Sequence, residues 1–404
     1  MRPPILFAAA PEAGRAFAAR WARTRPTFCC VLAHTDTCLI PGLSAAGASE
    51  ELRPLTPAAD AEVVSLGAPR CLPELPSNPL GAAGPAGITR AALVLAGIDA
   101  LFVGAGLRVW PATACLRLSE EPGGNIELGG GVPNASKLLQ SGQELGRELA
   151  SLGVRPQNAF HTPKGLRTPF KQIAWRGDSV AEDSPAAPLG PHLVLGESVP
   201  GGTTTALALL LALGYAAEGR VSGSQAGNGH THKTRVARRA LHAASLRPGD
   251  GRADPVAAVS KVGDPMQPLA AGVVLGATQA GCDVLLAGGS QMLAVAALVR
   301  ALGHPATLER VAIGTTRWVV EDPAADIPGL AAEISADLPV LAANLSFSCS
   351  RHAALRAYEQ FLVKEGVGAG GASIAALLAT GESVQRLEAA IDLTYDSLLG
   401  RLSE

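Results

Sequence analysis

What most constrains this chain is the run from His192 to Arg239, where an apolar strand end, a glycine turn, a helix and a second glycine-rich turn follow one another. Residues 193–195 read as the end of a buried strand and 196–202 as the turn, and an apolar helix is expected from near Thr203 to Gly214. That succession commits the chain to the α/β class and leaves the first-turn N–H groups of the helix pointing at whatever occupies the turn. Gly201 and Gly202 have no Cβ, so backbone can close on a ligand, and the helix start at Thr203 and Thr204 favours an anion such as a phosphate. The spacing from Gly196 to Gly201 is that of a nucleoside-triphosphate loop, but Gly202 stands where that motif needs its lysine. The missing charge is expected from Lys233, just after the glycine-rich residues 223–229. Its plain alternative is a solvated charge on a basic helix face, which is the reading adopted for Arg235, Arg238 and Arg239.

The same pattern recurs along the chain. Strands are expected at 27–33, 100–103, 283–286, 311–313 and 340–345, and helices at 56–66 (with Thr56 as its cap), 88–95, 136–152, 269–280 and 292–302. This predicts an α/β fold, a mainly parallel Rossmann-like sheet with crossover helices. Glycines 104 and 106, 196–202, 288 and 289, and 314 all follow strands, so these loops, with Ser290, should converge on one crevice outside the strands' carboxyl ends. The large lobe is read as 25–345, with a proline-rich, loop-rich insert at about 153–191. Residues 346–404 read as a smaller helical lobe: helices at 351–364 and 383–399 flank a glycine loop at 365–373. Residues 1–24 should complete that lobe, the apolar run 5–10 opening a first helix rather than a targeting segment.

Composition narrows the partners. A net charge of −2 over 404 residues gives no footprint for nucleic acid, and the apolar run 206–213 is far short of a membrane span. Seven scattered cysteines without a C-x-x-C spacing read as reduced thiols in a cytoplasm. His230 and His232 lack ligand-spaced partners, so no metal is expected, and no cofactor.

The segment Gly196-Glu197-Ser198-Val199-Pro200-Gly201-Gly202-Thr203-Thr204 resembles the G-E-M-G-I-G-N-T-T of nicotinate-nucleotide–dimethylbenzimidazole phosphoribosyltransferases. Lys233 with its following helix, Val262-Gly263 with residues 272–277, and Glu365-Gly366-Val367-Gly368-Ala369 are similar to further motifs of that family, in the same order. The likeness covers about residues 100–375 and is strongest to the divergent archaeal and cyanobacterial branch. It implies transfer of the phosphoribosyl group of nicotinate mononucleotide to a lower-ligand base of benzimidazole or purine type. The products would be nicotinate and an α-ribazole-type 5′-phosphate for the cobamide nucleotide loop. By the same resemblance Glu365 is the general base, the enzyme is a homodimer, and Glu197, Gly201, Gly202, Thr203, Thr204, Lys233, Gly288, Gly289, Ser290, Gly366 and Gly368 bind the substrates. Read on its own, Glu365 is better taken as a solvent-facing residue that ends the preceding helix, and the resemblance reverses that reading. Glu197 is either a carboxylate steadying the ribose or loop, or an acid complementing a helix N-terminus. Asp264 and Asp283 are read as structural. The family's A-D-H-G segment is missing, and Ser198 and Gly202 replace a methionine and an asparagine, which bears on the base accepted more than on the reaction. A nucleotide-binding regulator without catalysis, and a phosphoribosyltransferase or nucleosidase for another base, are the alternatives.

Overall fold

Runs of four to ten residues, apolar and buried on both faces in the central strands, make the strands of one sheet, and the helical segments between them cover it. The computed structural model describes residues 2–73, 75, 80–152, 189–303 and 305–402. In chain order the elements are β1 (Ile5–Ala9), α1 (Pro11–Trp21), β2 (Arg25–Ala33), α2 (Thr56–Leu66), α3 (Ala86–Ala96), β3 (Ala100–Ala105), β4 (Leu116–Ser119), α4 (Ala135–Leu152), β5 (Leu189–Ser198), α5 (Gly202–Ala212), α6 (His230–Ala243), α7 (Pro255–Val262), α8 (Met266–Gln279), β6 (Asp283–Ala287), α9 (Ser290–Leu302), β7 (Val311–Thr316), α10 (Arg317–Val320), α11 (Ile327–Ile334), β8 (Val340–Ala343), α12 (Ala353–Arg356), α13 (Ala369–Thr380) and α14 (Val384–Leu402). The eight strands lie in the order β1-β8-β7-β6-β5-β2-β3-β4, and every pairing is parallel except β1 with β8. The fold is therefore the mainly parallel α/β sheet with crossover helices that the alternation implies.

Along β2 the side chains alternate between two cores. Phe28, Cys30 and Leu32 face a layer made by α1, α2, α3, α13 and α14, while Cys29, Val31 and Ala33 face α5, α8 and α9. Helices from both chain ends thus gather on one side. On the other side α4 and α8 touch backbone to backbone. A Cβ at Gly142 or Gly146 would overlap the carbonyls of Leu269 and Val273, and one at Gly272 or Gly276 would overlap those of Leu139 and Gln143. Residues 272–277, counted among the motifs of resemblance, are thus helix-packing surface.

Some expected elements are different in kind. The run 5–10 opens the chain as an edge strand, Leu6 pairing with Ala342, and the helix starts only at Pro11, a residue suited to a first helical turn. The helix expected over 351–364 is only α12 and one 3-10 turn, because Phe361, Val363 and Lys364 take positive φ of 59°, 69° and 67°. The glycine loop expected at 365–373 ends early, at the start of α13. Gly370 lies so close to Thr315 that any Cβ would collide with its backbone. The cap of α2 is Leu55, not Thr56, and α7, capped by Asp254 accepting the Ala257 N–H at 2.9 Å, was not foreseen. Most of the insert at 153–191 lies outside the described residues, but Leu189, Gly190 and Pro191 already belong to β5.

Chain direction across the sheet reverses beside β5. From β2 the chain moves outward to β3 and β4, and from β5 it moves the other way to β6, β7 and β8. The carboxyl ends of β2 and β5 therefore flank a switch point, where the departing loops splay apart and leave a crevice.

Candidate active site

The crevice offers about 820 Å³ of empty space, counting its mouth open to solvent. One wall is the end of β5 and the start of α5. Gly201 caps α5 at φ 80°, with its Cα too near Cys38 for a side chain to fit comfortably, and Gly202, Thr203 and Thr204 make the first turn. Lys233, in the first turn of α6, reaches this wall although only 3% exposed. Its Nζ donates to Gln225 Oε1 at 3.1 Å and to the carbonyl of Asn228. Both partners are neutral, and among the described residues no carboxylate lies within ion-pair distance of it. Burial first, and then the Lys364 ammonium, push it down to about 8. A buried cation with neutral partners beside a helix N-terminus is arranged to accept an anion.

The opposite chemistry fills the rest of the crevice. Glu365, partly buried at the foot of α13, accepts the Gly370 N–H at 3.1 Å, the Gly366 N–H at 3.1 Å and the Thr315 hydroxyl at 3.2 Å. Those bonds favour the charged form, yet burial outweighs them and pushes the carboxyl up to about 7. Glu197 is 3% exposed, accepts the Val199 N–H at 3.1 Å, and is pushed up to about 8 by burial and then by the charges of Asp264, Glu365 and Asp60. Asp60 of α2 takes a 2.7 Å hydrogen bond from Ser198 and is pushed up to about 7 by burial. Asp264 sits beneath α5, accepting from Thr205 at 2.6 Å and from the Met266 N–H at 3.0 Å. It is off the crevice wall, and Asp283 pairs with Arg20 and Arg310 at 2.6 and 3.0 Å, so both are structural acids.

Loop 363–367 is tied to the lysine's turn. Lys364, 1% exposed, places its ammonium 2.7 Å from both Asp322 Oδ2 and Asn228 Oδ1, and Asn228 also accepts the Gly223 N–H at 2.8 Å. Val363 N–H donates to Ser224 O at 3.1 Å and Val367 N–H to Glu197 O at 2.9 Å. The residue before Glu365 thus clamps the 223–229 turn, and the residue two after it is pinned to β5.

Of the residues singled out in sequence, Glu197, Gly201, Gly202, Thr203, Thr204, Lys233, Glu365 and Gly366 line the crevice together. Gly288, Gly289, Ser290 and Gly368 do not line it. Gly288 backs Glu197, where a Cβ would stand 3.8 Å from Oε1, and Gly368 lets α13 approach Gly196 of β5. Ser290 ties α9 to the turn, accepting from Ser222 N–H at 2.7 Å and donating to Ser222 O at 3.0 Å. Loop 104–106 and Gly314 also stay off the wall, so the four glycine loops do not all meet there; segments 43–47, 56–60 and 84–85 take their place. Arg238 and Arg239 are surface pairs with Glu218 and Glu127. Sequence reasoning missed Asp60, Lys364 and Asp322. For Asp60 the available signal was a pair of acids, Asp60 and Glu62, among alanines and valines in a helix with no polar face.

Comparison with known proteins bears on the fold and the family. The family model described as Phosphoribosyltransferase, DBI_PRT, matches residues 179–316, the stretch from β5 to β7. UPF0284 protein glr4139 of Gloeobacter violaceus is 43% identical over 395 residues, 96% of this chain and 93% of its own. A UPF0284 protein of Methanothermobacter thermautotrophicus is 40% identical over 354 residues, 87% of each. The solved nicotinate-nucleotide-dimethylbenzimidazole phosphoribosyltransferase of Thermus thermophilus superposes with a TM-score of 0.53 at 18% identity, over 93% of this chain and 84% of that one. A structure of CobT from the same organism gives 0.51 at 18%, over 94% and 89%. At that identity the likeness speaks for the fold. Among the described residues no helix is long and apolar enough to cross a membrane.

Proposed function

The chain belongs to the UPF0284 family, and we propose that it transfers the phosphoribosyl group of nicotinate mononucleotide to an aromatic base of benzimidazole or purine type. One observation carries the proposal: Lys233, buried with only neutral partners, and Glu365, poised near neutrality, line the same crevice. The phosphoribosyltransferase model that matches residues 179–316 supports it.

In this reading the 5′-phosphate lies against Lys233 and the first turn of α5, with ribose C1′ toward Glu365. The bond from C1′ to the pyridinium nitrogen breaks, its electron pair neutralising that nitrogen, and nicotinate departs. The ring nitrogen of the base that carries a free lone pair attacks the opposite face of C1′, and the proton on the base's other azole nitrogen passes to the Glu365 carboxylate, giving an α-riboside 5′-phosphate. Positioning by the glycine turns supplies several kcal/mol of the barrier, and general-base transfer typically about 10² to 10⁴ in rate. A carboxyl near pH 7 suits that task, being ionised in a useful fraction of molecules while still basic. The product would serve the nucleotide loop of a cobamide. A homodimer and a cytoplasmic setting complete the proposal; the seven free cysteines fit the latter.

The test is incubation of the protein with nicotinate mononucleotide and a panel of benzimidazoles, phenols and purines, followed by chromatography. Nicotinate release that depends on an azole or purine is expected, with dimethylbenzimidazole not required to be best. Release with water alone would make the protein a nucleosidase, and donor binding without release under any acceptor would make it a regulator.

A further inference from the structure

One carboxyl in the crevice has no task in the transfer just described. Asp60 lines the cavity from α2, is 4% exposed, and uses one of its two oxygens: Ser198 donates to Oδ2 at 2.7 Å, and Oδ1 is buried with no partner. A buried oxygen left unpaired in a wall that faces empty space is a hydrogen-bonding position reserved for a ligand. Three features say which part of the ligand. The phosphate is excluded, since the crevice's buried cation is Lys233 and a carboxyl beside an anion would repel it. The ribose region lies by Glu365, both of whose oxygens are already engaged, and by Glu197, which accepts the Val199 N–H through one oxygen. The remainder of the wall carries Ser44, Thr56, Pro85 and Val199, apolar surface with a few hydroxyls, and no lining cation besides Lys233, which suits a flat uncharged ring.

We infer that Asp60, steadied by Ser198, reads the incoming base through a hydrogen bond that an N–H group at the ring edge donates to its free Oδ1. The inference rests on the reading that this crevice takes a base as acceptor. The preferred acceptor class is then a ring that carries an N–H donor on its six-membered half, such as the amino group of adenine. Dimethylbenzimidazole presents methyl groups there and leaves Oδ1 unpaired. A polar position built to be paired rejects the analogue that cannot pair with it more strongly than an apolar pocket rejects an extra group. Asp60 is thus a specificity residue, and Ser198 a positioning residue that fixes the carboxyl's rotation.

The experiment measures dissociation constants for adenine and dimethylbenzimidazole by calorimetry, with saturating nicotinate mononucleotide, in a Glu365→Gln background that prevents turnover. With Asp60 present, adenine should bind at least tenfold more tightly than dimethylbenzimidazole. Asp60→Leu keeps the side chain's shape and removes its polarity; it should weaken adenine at least tenfold and leave dimethylbenzimidazole equal or tighter. Ser198→Ala should give an intermediate ratio. An adenine-to-dimethylbenzimidazole ratio unchanged by Asp60→Leu, or no binding of either base to the Asp60 protein, overturns the inference. Should Asp60→Leu fail to show a cooperative melt, Asp60→Ala is read by the same ratio. Nicotinate release by the unmodified protein is scored separately. Release with an unmoved ratio removes Asp60's role and leaves the transfer, whereas a moved ratio without release does the reverse.

Discussion

At Glu365 two influences oppose each other. Backbone N–H groups at the foot of α13 favour the carboxylate and burial disfavours it, and burial wins. If this group removes the acceptor's proton, Glu365→Gln should keep donor affinity and lose at least 10² in turnover; turnover within threefold of the unmodified enzyme would end the assignment. The pH profile follows from two groups: Glu365 must be ionised, and it is pushed up to about 7, while Lys233 must be protonated, and it is pushed down to about 8. Activity at low substrate should therefore rise toward pH 7 and fall above pH 8, a narrow bell. Lys233→Ala should abolish the alkaline limb. It should also weaken nicotinate mononucleotide by the roughly 1.5 to 3 kcal/mol of a charge-assisted contact, with free bases nearly unaffected. Calorimetry showing unchanged donor affinity would remove Lys233 from the phosphate site.

Between α4 and α8 the fold depends on four glycines at backbone contact. Alanine at Gly276 would gain about 1 kcal/mol of helix propensity. It would also force apart two helix backbones, since its Cβ meets the carbonyl of Gln143 rather than a side chain that could swing away. Overpacking costs typically 1 to 3 kcal/mol, more where backbone is the obstacle, so Gly276→Ala should lower the midpoint of thermal unfolding; an unchanged or raised midpoint would contradict the packing account. Residues 272–277 show the limit of reading such motifs. Glycine at that spacing is as well explained by helix packing as by a ligand, and only the tertiary contact decides. The strand–turn–helix at β5 and α5 was legible because its glycines fall at a strand end. The pattern of 351–364 was not, because positive φ at Phe361, Val363 and Lys364 is imposed by contacts distant in sequence, Lys364 with Asp322 among them. Asp60 escaped for a similar reason: its partner Ser198 is 138 residues away, and nothing local marks the pairing.

Over the whole molecule the crevice, with Asp264 beneath it, carries a cost in stability that depends on pH. Asp60, Glu197, Asp264 and Glu365 are raised from ordinary values of 3.8 to 4.5 up to about 7, 8, 6 and 7, in each case chiefly by burial. Between the unfolded and folded values the native chain holds protons that the unfolded chain has lost. Stability must therefore fall as pH rises from about 4 through about 8. His34 and His192 act oppositely: burial lowers both below 6.5, so the unfolded chain binds more protons there and stability falls as pH drops beneath that value. Four acids outweigh two imidazoles, so the optimum lies on the acid side of pH 6, and the alkaline decline belongs to the acids. Glu197, almost wholly buried and the most raised of the four, isolates that term. Glu197→Gln removes a charge that the fold resists, so above pH 8 the variant should be more stable than the unmodified protein by on the order of a few kcal/mol, a gap of several degrees in unfolding midpoint. Near pH 5.5, where the carboxyl is protonated and resembles the amide, the gap should close. Parallel curves for the two proteins between pH 5.5 and 8.5, or a midpoint that climbs steadily to pH 8.5, would show that the acids of the crevice are ionised at no cost to the fold.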